Sequence, residues 1–187
     1  MLFTDLGDKA SPGLKSIPPF VAAEKARDAV RMFCRRTWAY LLDLDSVATV
    51  VDHKDYTLTP IDDTVIISVD SVRHSTTEGL NYDFTVAADF SEFSLLSAPT
   101  TIYSIIPKAV LIPARDSTDF PDWIFDRYED EIISGVKAYC LKMENRPWTD
   151  FDLASVRMKE FKSGMAQANI SRTSGRNASE RVTMRNW

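Results

Sequence analysis

The only imidazoles among 187 residues are His53 and His74, so acid–base or metal chemistry would be sought there first. A metal site needs three or four converging ligands, and neither histidine lies in a His-x-x-x-His or Cys-x-x-Cys spacing. Both sit in polar, loop-like surroundings and read as solvated. The acidic pairs Asp62–Asp63 and Asp43/Asp45 could hold a cation or divide acid and base roles, but adjacent carboxylates alone specify neither, and the turn reading is preferred. No Gly-rich phosphate cradle and no Gly-x-Ser-x-Gly elbow occurs, and six glycines leave little material for one. Cys34 and Cys140 fall within apolar periodic segments and read as small buried hydrophobes rather than a disulfide pair. The expectation is a protein that is not an enzyme and carries no cofactor or metal.

What remains is chemistry of binding. Between Ser171 and Trp187 stand Arg172, Arg176, Arg181 and Arg185 against the single acid Glu180, so this segment carries +3 and leaves −8 for the rest of a chain whose total is −5. An acidic body thus bears a basic tail. Such arginines can serve phosphates, an acidic protein surface, or solubility alone. With no aromatic platform but Trp187, they give little support to stacking on single-stranded nucleic acid, and the net charge argues against a general nucleic-acid binder. Docking on an acidic protein groove is the preferred reading; for Trp187, insertion into the partner and disorder are both open. Trp38, Trp123 and Trp148 fall on helix faces or boundaries and are expected in the core.

The elements that position these residues follow from periodicity. A hydrophobic fraction of 44% and a charged fraction of 26% are those of an ordinary folded domain. No apolar run is long enough for a bilayer and no export signal is visible, so a reducing cytoplasm is expected. Residues 1–17 show no sustained period and read as an N-terminal arm. After Pro18 and Pro19, Ala22 to Leu42 carries a stripe of Ala23, Ala26, Val30, Phe33, Thr37 and Leu41. Short β-rich runs follow: 48–51, 56–59, 64–69, 82–87, 93–96, 100–105 and 109–112, with Ser75 to Gly79 as a hairpin turn. A second helix, Trp123 to Met143, repeats Ile124, Tyr128, Ile132, Val136 and Tyr139, with acids crowding its first half. Thr149 or Asp150 can cap a third, about Phe151 to Ala168, whose stripe is Ala154, Met158, Phe161 and Met165.

The expected fold is α+β: a small bundle of amphipathic helices (18–45 and 114–170) with an inserted β-rich domain (46–113) and an extended C-terminal tail (171–187).

The helix reading Ala26-Arg27-Asp28-Ala29-Val30-Arg31-Met32-Phe33-Cys34-Arg35-Arg36-Thr37, followed by Trp38, resembles the opening helix of tailed-bacteriophage head-to-tail adaptors, also called connector or head-completion proteins. Phe120-Pro121 opening a helix through Tyr128 and Gly135-Val136-Lys137-Ala138, then Met143, Pro147-Trp148, and Leu153-Ala154 ahead of Phe161, resembles the second helix, turn and third helix of that family. The likeness covers Ala22 to Leu42 and Leu111 to Ala168. Where related turns often read Pro-Gly-Lys-Pro-Trp, this chain has Glu144-Asn145-Arg146-Pro147-Trp148.

The resemblance implies a viral structural protein of the virion neck, made in the host cytoplasm. It would form a ring oligomer, typically of twelve copies, beneath the portal protein, with a C-terminal segment (Arg172, Arg176, Arg181, Arg185, Trp187) binding the portal. A tail or nozzle protein would join below, genomic DNA would pass through the lumen without sequence-specific contact, and no membrane would be involved. A tail-side completion or tube-end protein that does not touch the portal is the alternative. An enzyme with an acidic site or a cytoplasmic regulatory module are more distant readings.

Overall fold

The computed structural model describes residues 1–14, 17–77 and 80–183, with side chains as far as Arg172. The chain is α+β and divides into two units, Met1–Ala39 with Thr118–Trp187, and Tyr40–Ser117.

Four helices build the first unit: α1 (Phe3–Ala10), α2 (Pro19–Thr37), α3 (Asp122–Leu141) and α4 (Phe151–Thr183). Helix α1 replaces the irregular arm expected at residues 1–17. Its buried Phe3, Leu6, Gly7 and Ala10 follow the i, i+3, i+4, i+7 spacing of a helix face. A Cβ on Gly7 would lie 3.0 Å from the backbone of both Ala22 and Ala23, so the residue that reads as a helix breaker is what lets α1 approach α2. The start of α1 is tied to the entrance of α3: Phe3 N–H donates to the Thr118 carbonyl and Phe120 N–H to that of Met1, both at 3.1 Å, while the rings of Phe3 and Phe120 stack at 5.2 Å.

Helix α2 stops at Thr37 rather than running to Leu42. Trp38 takes a left-handed φ of 55° and its N–H closes on the Cys34 carbonyl, while the Thr37 hydroxyl donates to the Phe33 carbonyl at 2.8 Å and accepts the Ala39 N–H at 3.2 Å. Leu41 continues the helical spacing in sequence but belongs to a strand.

Between α3 and α4, Arg146 N–H donates to the Thr149 hydroxyl at 3.0 Å, and Asp150 N–H to the Leu141 carbonyl at 3.0 Å. Of the two candidate caps Asp150 is the one used, its carboxylate accepting the Leu153 N–H at 2.9 Å. Helix α4 then continues past Ala168 to Thr183, which replaces the extended conformation expected from Ser171. Between Ala168 and Thr183 there is no proline, and Arg, Ala and Glu are interspersed among the weaker helix formers, so Gly175 is the one residue of that stretch that opposes helix strongly, by about 1 kcal/mol.

In the second unit, the strands are β1 (Leu41–Asp43), β2 (Val47–Ala48), β3 (Asp55–Thr57), β4 (Thr64–His74), β5 (Asn81–Tyr82), β6 (Phe84–Val86), β7 (Glu92–Leu95) and β8 (Ser104–Pro113). One antiparallel sheet has the order β1-β8-β4-β5 with β2 also on β8; the other is β3-β7-β6. The expected hairpin is present, β4 pairing with β5 through Val72↔Tyr82 and Arg73↔Asn81. Strand β8 joins two runs that Pro107 separates in sequence. The Pro107 carbonyl accepts the Leu44 N–H at 2.8 Å, and a strand residue aims N–H and C=O at the same edge. The missing N–H therefore faces Leu44, where pairing steps from β1 to β2, so proline forfeits one return bond there and leaves the pairing with β4 on the other edge untouched.

Candidate partner-binding surface

Helix α4 carries Arg172, Arg176 and Arg181 of the residues expected to bind, and its contacts show how the first of them is engaged. Phe161, fully buried, packs within 6.2 Å of Phe33 and 6.4 Å of Tyr139 by ring centres, fixing α4 on α2 and α3. Further along, the Asn169 side-chain amide donates to the Arg36 carbonyl at 3.0 Å, one of the orphan carbonyls at the α2 C-terminus. The Arg172 guanidinium sits 4.9 Å from the Trp38 ring centre. Arg172 is thus engaged within its own unit. Arg176 and Arg181 lie on the α4 backbone beyond it; their side chains, together with Arg185 and Trp187, lie outside the described residues.

Arg35 and Arg36 at the end of α2 are exposed, as are Lys159 and Lys162 earlier on α4. Where α3 meets α4 the surface carries both signs, Asp130, Glu131 and Glu160 lining one cavity with Lys137, Arg157 and Lys159. Glu160 receives Arg157 at 2.9 Å and the Ser134 hydroxyl at 3.0 Å; the Arg157 guanidinium first, then Ser134, holds its carboxyl below the ordinary range. On the α1 side of α3 the surface is acidic, with Asp5, Asp122, Asp126 and Glu129 exposed. There Lys9 pairs with Glu129 at 3.3 Å, and the Met1 amine contacts Asp122.

The positions considered for catalysis are explained by structure. Asp63 holds a left-handed φ of 58° and its carbonyl accepts the Ala114 N–H at 2.8 Å, so the Asp62–Asp63 pair belongs to the turn entering β4. Asp43 pairs with Arg73 at 2.6 Å. His74 accepts the Thr76 and Thr77 N–H groups on Nδ1, both at 3.2 Å, organising the hairpin turn, and stacks on Tyr103 at 5.2 Å. His53 is exposed and meets Tyr56 edge-on at 5.6 Å. Among the described residues no group of three or more His, Cys, Asp or Glu is placed to hold a metal.

Cys34 and Cys140 are free and buried. Burial pushes the Cys34 thiol up to about 12 and the Cys140 thiol up to about 11. Trp148 is buried as expected, whereas Trp123 is 42% exposed. No helix of the described residues is long and apolar enough to cross a membrane.

Sequence reasoning missed the Trp38–Arg172 contact and the apolar tip of the β unit, where Val50 and Ile102 are 57% and 74% exposed. The tip is held by Thr49, whose buried hydroxyl accepts the Tyr103 N–H at 2.9 Å and faces the Tyr103 and Thr101 carbonyls at 3.0 and 3.3 Å. A lone threonine between β-rich runs gives no signal of such a role. No protein-family model matches this chain, and no curated protein matches it.

Proposed function

We propose that this protein is a structural head-to-tail adaptor of a tailed phage: a virion protein that binds rather than catalyses, forms a ring, docks on the portal through its C-terminal segment and joins capsid to tail around the passing DNA. The observation that carries the reading is the turn between α3 and α4. In the family this chain resembles, the turn often reads Pro-Gly-Lys-Pro-Trp; here Asn145 stands in the glycine position and holds φ at 56°, the left-handed conformation that glycine adopts freely and asparagine tolerates well among other residues. The departure in sequence therefore still allows the turn shape a glycine would give, and Trp148 beneath it is 7% exposed.

Ring assembly would let weak contacts suffice, because each tail that engages raises the effective concentration of the next. The basic segment after Arg172 suits an acidic groove. The deciding experiment is native mass measurement of the chain with and without purified portal protein, alongside a variant ending at Arg172. A ring on the portal with the full chain, lost in the shortened variant while its melting temperature is unchanged, is the expected result. A full chain that stays monomeric and ignores the portal overturns the proposal; capture by tail protein alone selects the tail-side completion role instead.

A further inference from the structure

Strand β5 lies at the edge of its sheet and pairs with β4 at two positions, Val72↔Tyr82 and Arg73↔Asn81. So short a ladder is marginal on its own and depends on its turn. His74 holds that turn in two ways. Its backbone N–H donates to the Leu80 carbonyl at 3.0 Å, which closes the hairpin. Its ring nitrogen Nδ1 accepts the N–H groups of Thr76 and Thr77, both at 3.2 Å, with the Thr76 hydroxyl also 3.2 Å away. The imidazole stacks on Tyr103 at 5.2 Å, and Tyr103 stacks on Tyr82 of β5 at 5.4 Å, so one row of rings joins the turn to the strand it folds back.

Two N–H donors converging on Nδ1 fix the state of the ring. A nitrogen that accepts carries no hydrogen, so the neutral imidazole holds its proton on Nε2. A second proton can go only to Nδ1, and the imidazolium is a donor at both nitrogens. It would set its own N–H against two others, and the turn would lose its acceptor. The Tyr103 ring favours a cation over its face, so the charged imidazole can stay stacked while the turn releases.

The groups around the imidazole do not duplicate this chemistry. Tyr103 lies against its face with Tyr82 beyond, and burial first, then the Tyr103 hydroxyl, pushes Tyr82 up to about 12. The charged side chains of this part of the sheet are on its other face. Asp43, Lys108 and Ser71 stand opposite one another across β1, β8 and β4. Arg73, two residues beyond Ser71, shares their face and pairs with Asp43 at 2.6 Å. Glu78, between Thr77 and Leu80 in sequence, lies outside the described residues.

We propose that His74 is a proton-operated latch: the β4–β5 hairpin is closed while the imidazole is neutral and opens at its turn when the imidazole is protonated. Histidine is the side chain whose charge ordinarily changes between about pH 8 and pH 5. Acidification across that range would turn the covered end of β4, at Val72 and Arg73, into an open strand edge. The latch belongs to the β unit and stands whether or not the chain is an adaptor.

NMR of the full chain from about pH 8 to pH 5 tests it. At the upper end the ring should carry hydrogen on Nε2 and none on Nδ1. As pH falls, the amide proton resonances of Thr76 and Thr77 should move in step with the Cε1–H resonance of the His74 ring. Protection of the His74 amide against exchange, corrected for the intrinsic rate, should drop by about tenfold or more. His74→Asn places an amide oxygen at the Nδ1 position, which accepts at every pH, so its turn should stay closed throughout. Glu78→Gln should respond as wild type does. A neutral ring with hydrogen on Nδ1, amides that do not follow the ring, a response kept in His74→Asn, or one lost in Glu78→Gln each overturns the latch. Should the His74→Asn turn fail to close at the upper pH, the tautomer and the joint titration of the wild-type chain decide by themselves.

Discussion

Arg172 lies over Trp38, guanidinium to ring centre 4.9 Å, and this contact ties the far part of α4 to the residue that ends α2. Trp38 terminates its helix in a left-handed conformation, which turns its backbone out of the helix and leaves its ring against α4. The first arginine of the basic segment is thereby a structural residue, and the proposed binding role falls to those after it.

Replacing Arg172 with Ala should lower stability by about 0.5–1 kcal/mol, the worth of an exposed to half-buried cation–π pair, read from urea unfolding. Portal capture should change less than with Arg176→Ala combined with Arg181→Ala, which should weaken capture and leave the unfolding midpoint in place. Equal effects on both readouts from both changes would contradict this division.

Close approach of α3 and α4 depends on Gly135. A Cβ there would lie 2.9 Å from two ring carbons of Phe161, and Phe161 is fully buried, so the ring has nowhere to move. Gly135→Ala should therefore destabilise by about 1–3 kcal/mol through overpacking, against the gain of about 1 kcal/mol that alanine gives in an unobstructed helix. Thermal unfolding distinguishes the two signs.

The two thiols set a pH dependence. Burial raises Cys34 to about 12 and Cys140 to about 11 from an ordinary 9.0, so the folded protein holds these protons more tightly than the unfolded chain. Their contribution is fully present below pH 9 and is lost as pH rises through about 11 to 12. Unfolding midpoints should fall over that window, and a Cys34→Ala, Cys140→Ala variant should show a shallower fall. Neither thiol of the native protein should react with iodoacetamide at pH 8, while both should react in denaturant.

The three long helices were legible because Val30, Phe33, Ile132, Val136, Ala154 and Phe161 repeat at helical spacing and are buried. Asp150 was readable as a cap because short acidic side chains favour that position. Helix α1 spans only two turns and contains Gly7, whose value lies in how near the α2 backbone comes, a fact about tertiary packing. Pro107 concealed the continuity of β8, since its missing N–H is tolerated where pairing passes from β1 to β2 and the pairing with β4 needs no bond from it. The contact of Trp38 with Arg172 joins the end of one helix to the far part of another, with the whole β unit between them in sequence. Local propensity says nothing about which helix end will lie beside which side chain.

Thr49 offers the sharpest test of the β unit. It is 1% exposed and joins the segment carrying Val50 to the one carrying Ile102 through the Tyr103 N–H at 2.9 Å and the Tyr103 carbonyl at 3.0 Å. Thr49→Val keeps the shape and removes the hydroxyl, leaving the Tyr103 N–H buried and unpaired at a cost of about 1–3 kcal/mol. Thr49→Ser keeps the hydrogen bonds and removes one methyl group, worth about 0.8 kcal/mol. Stability should therefore rank wild type, then Ser, then Val, and in the Val variant the Tyr103 amide should exchange with solvent faster than in the Ser variant. A Val variant as stable as wild type, with Tyr103 still protected, would show that shape alone aligns the two segments.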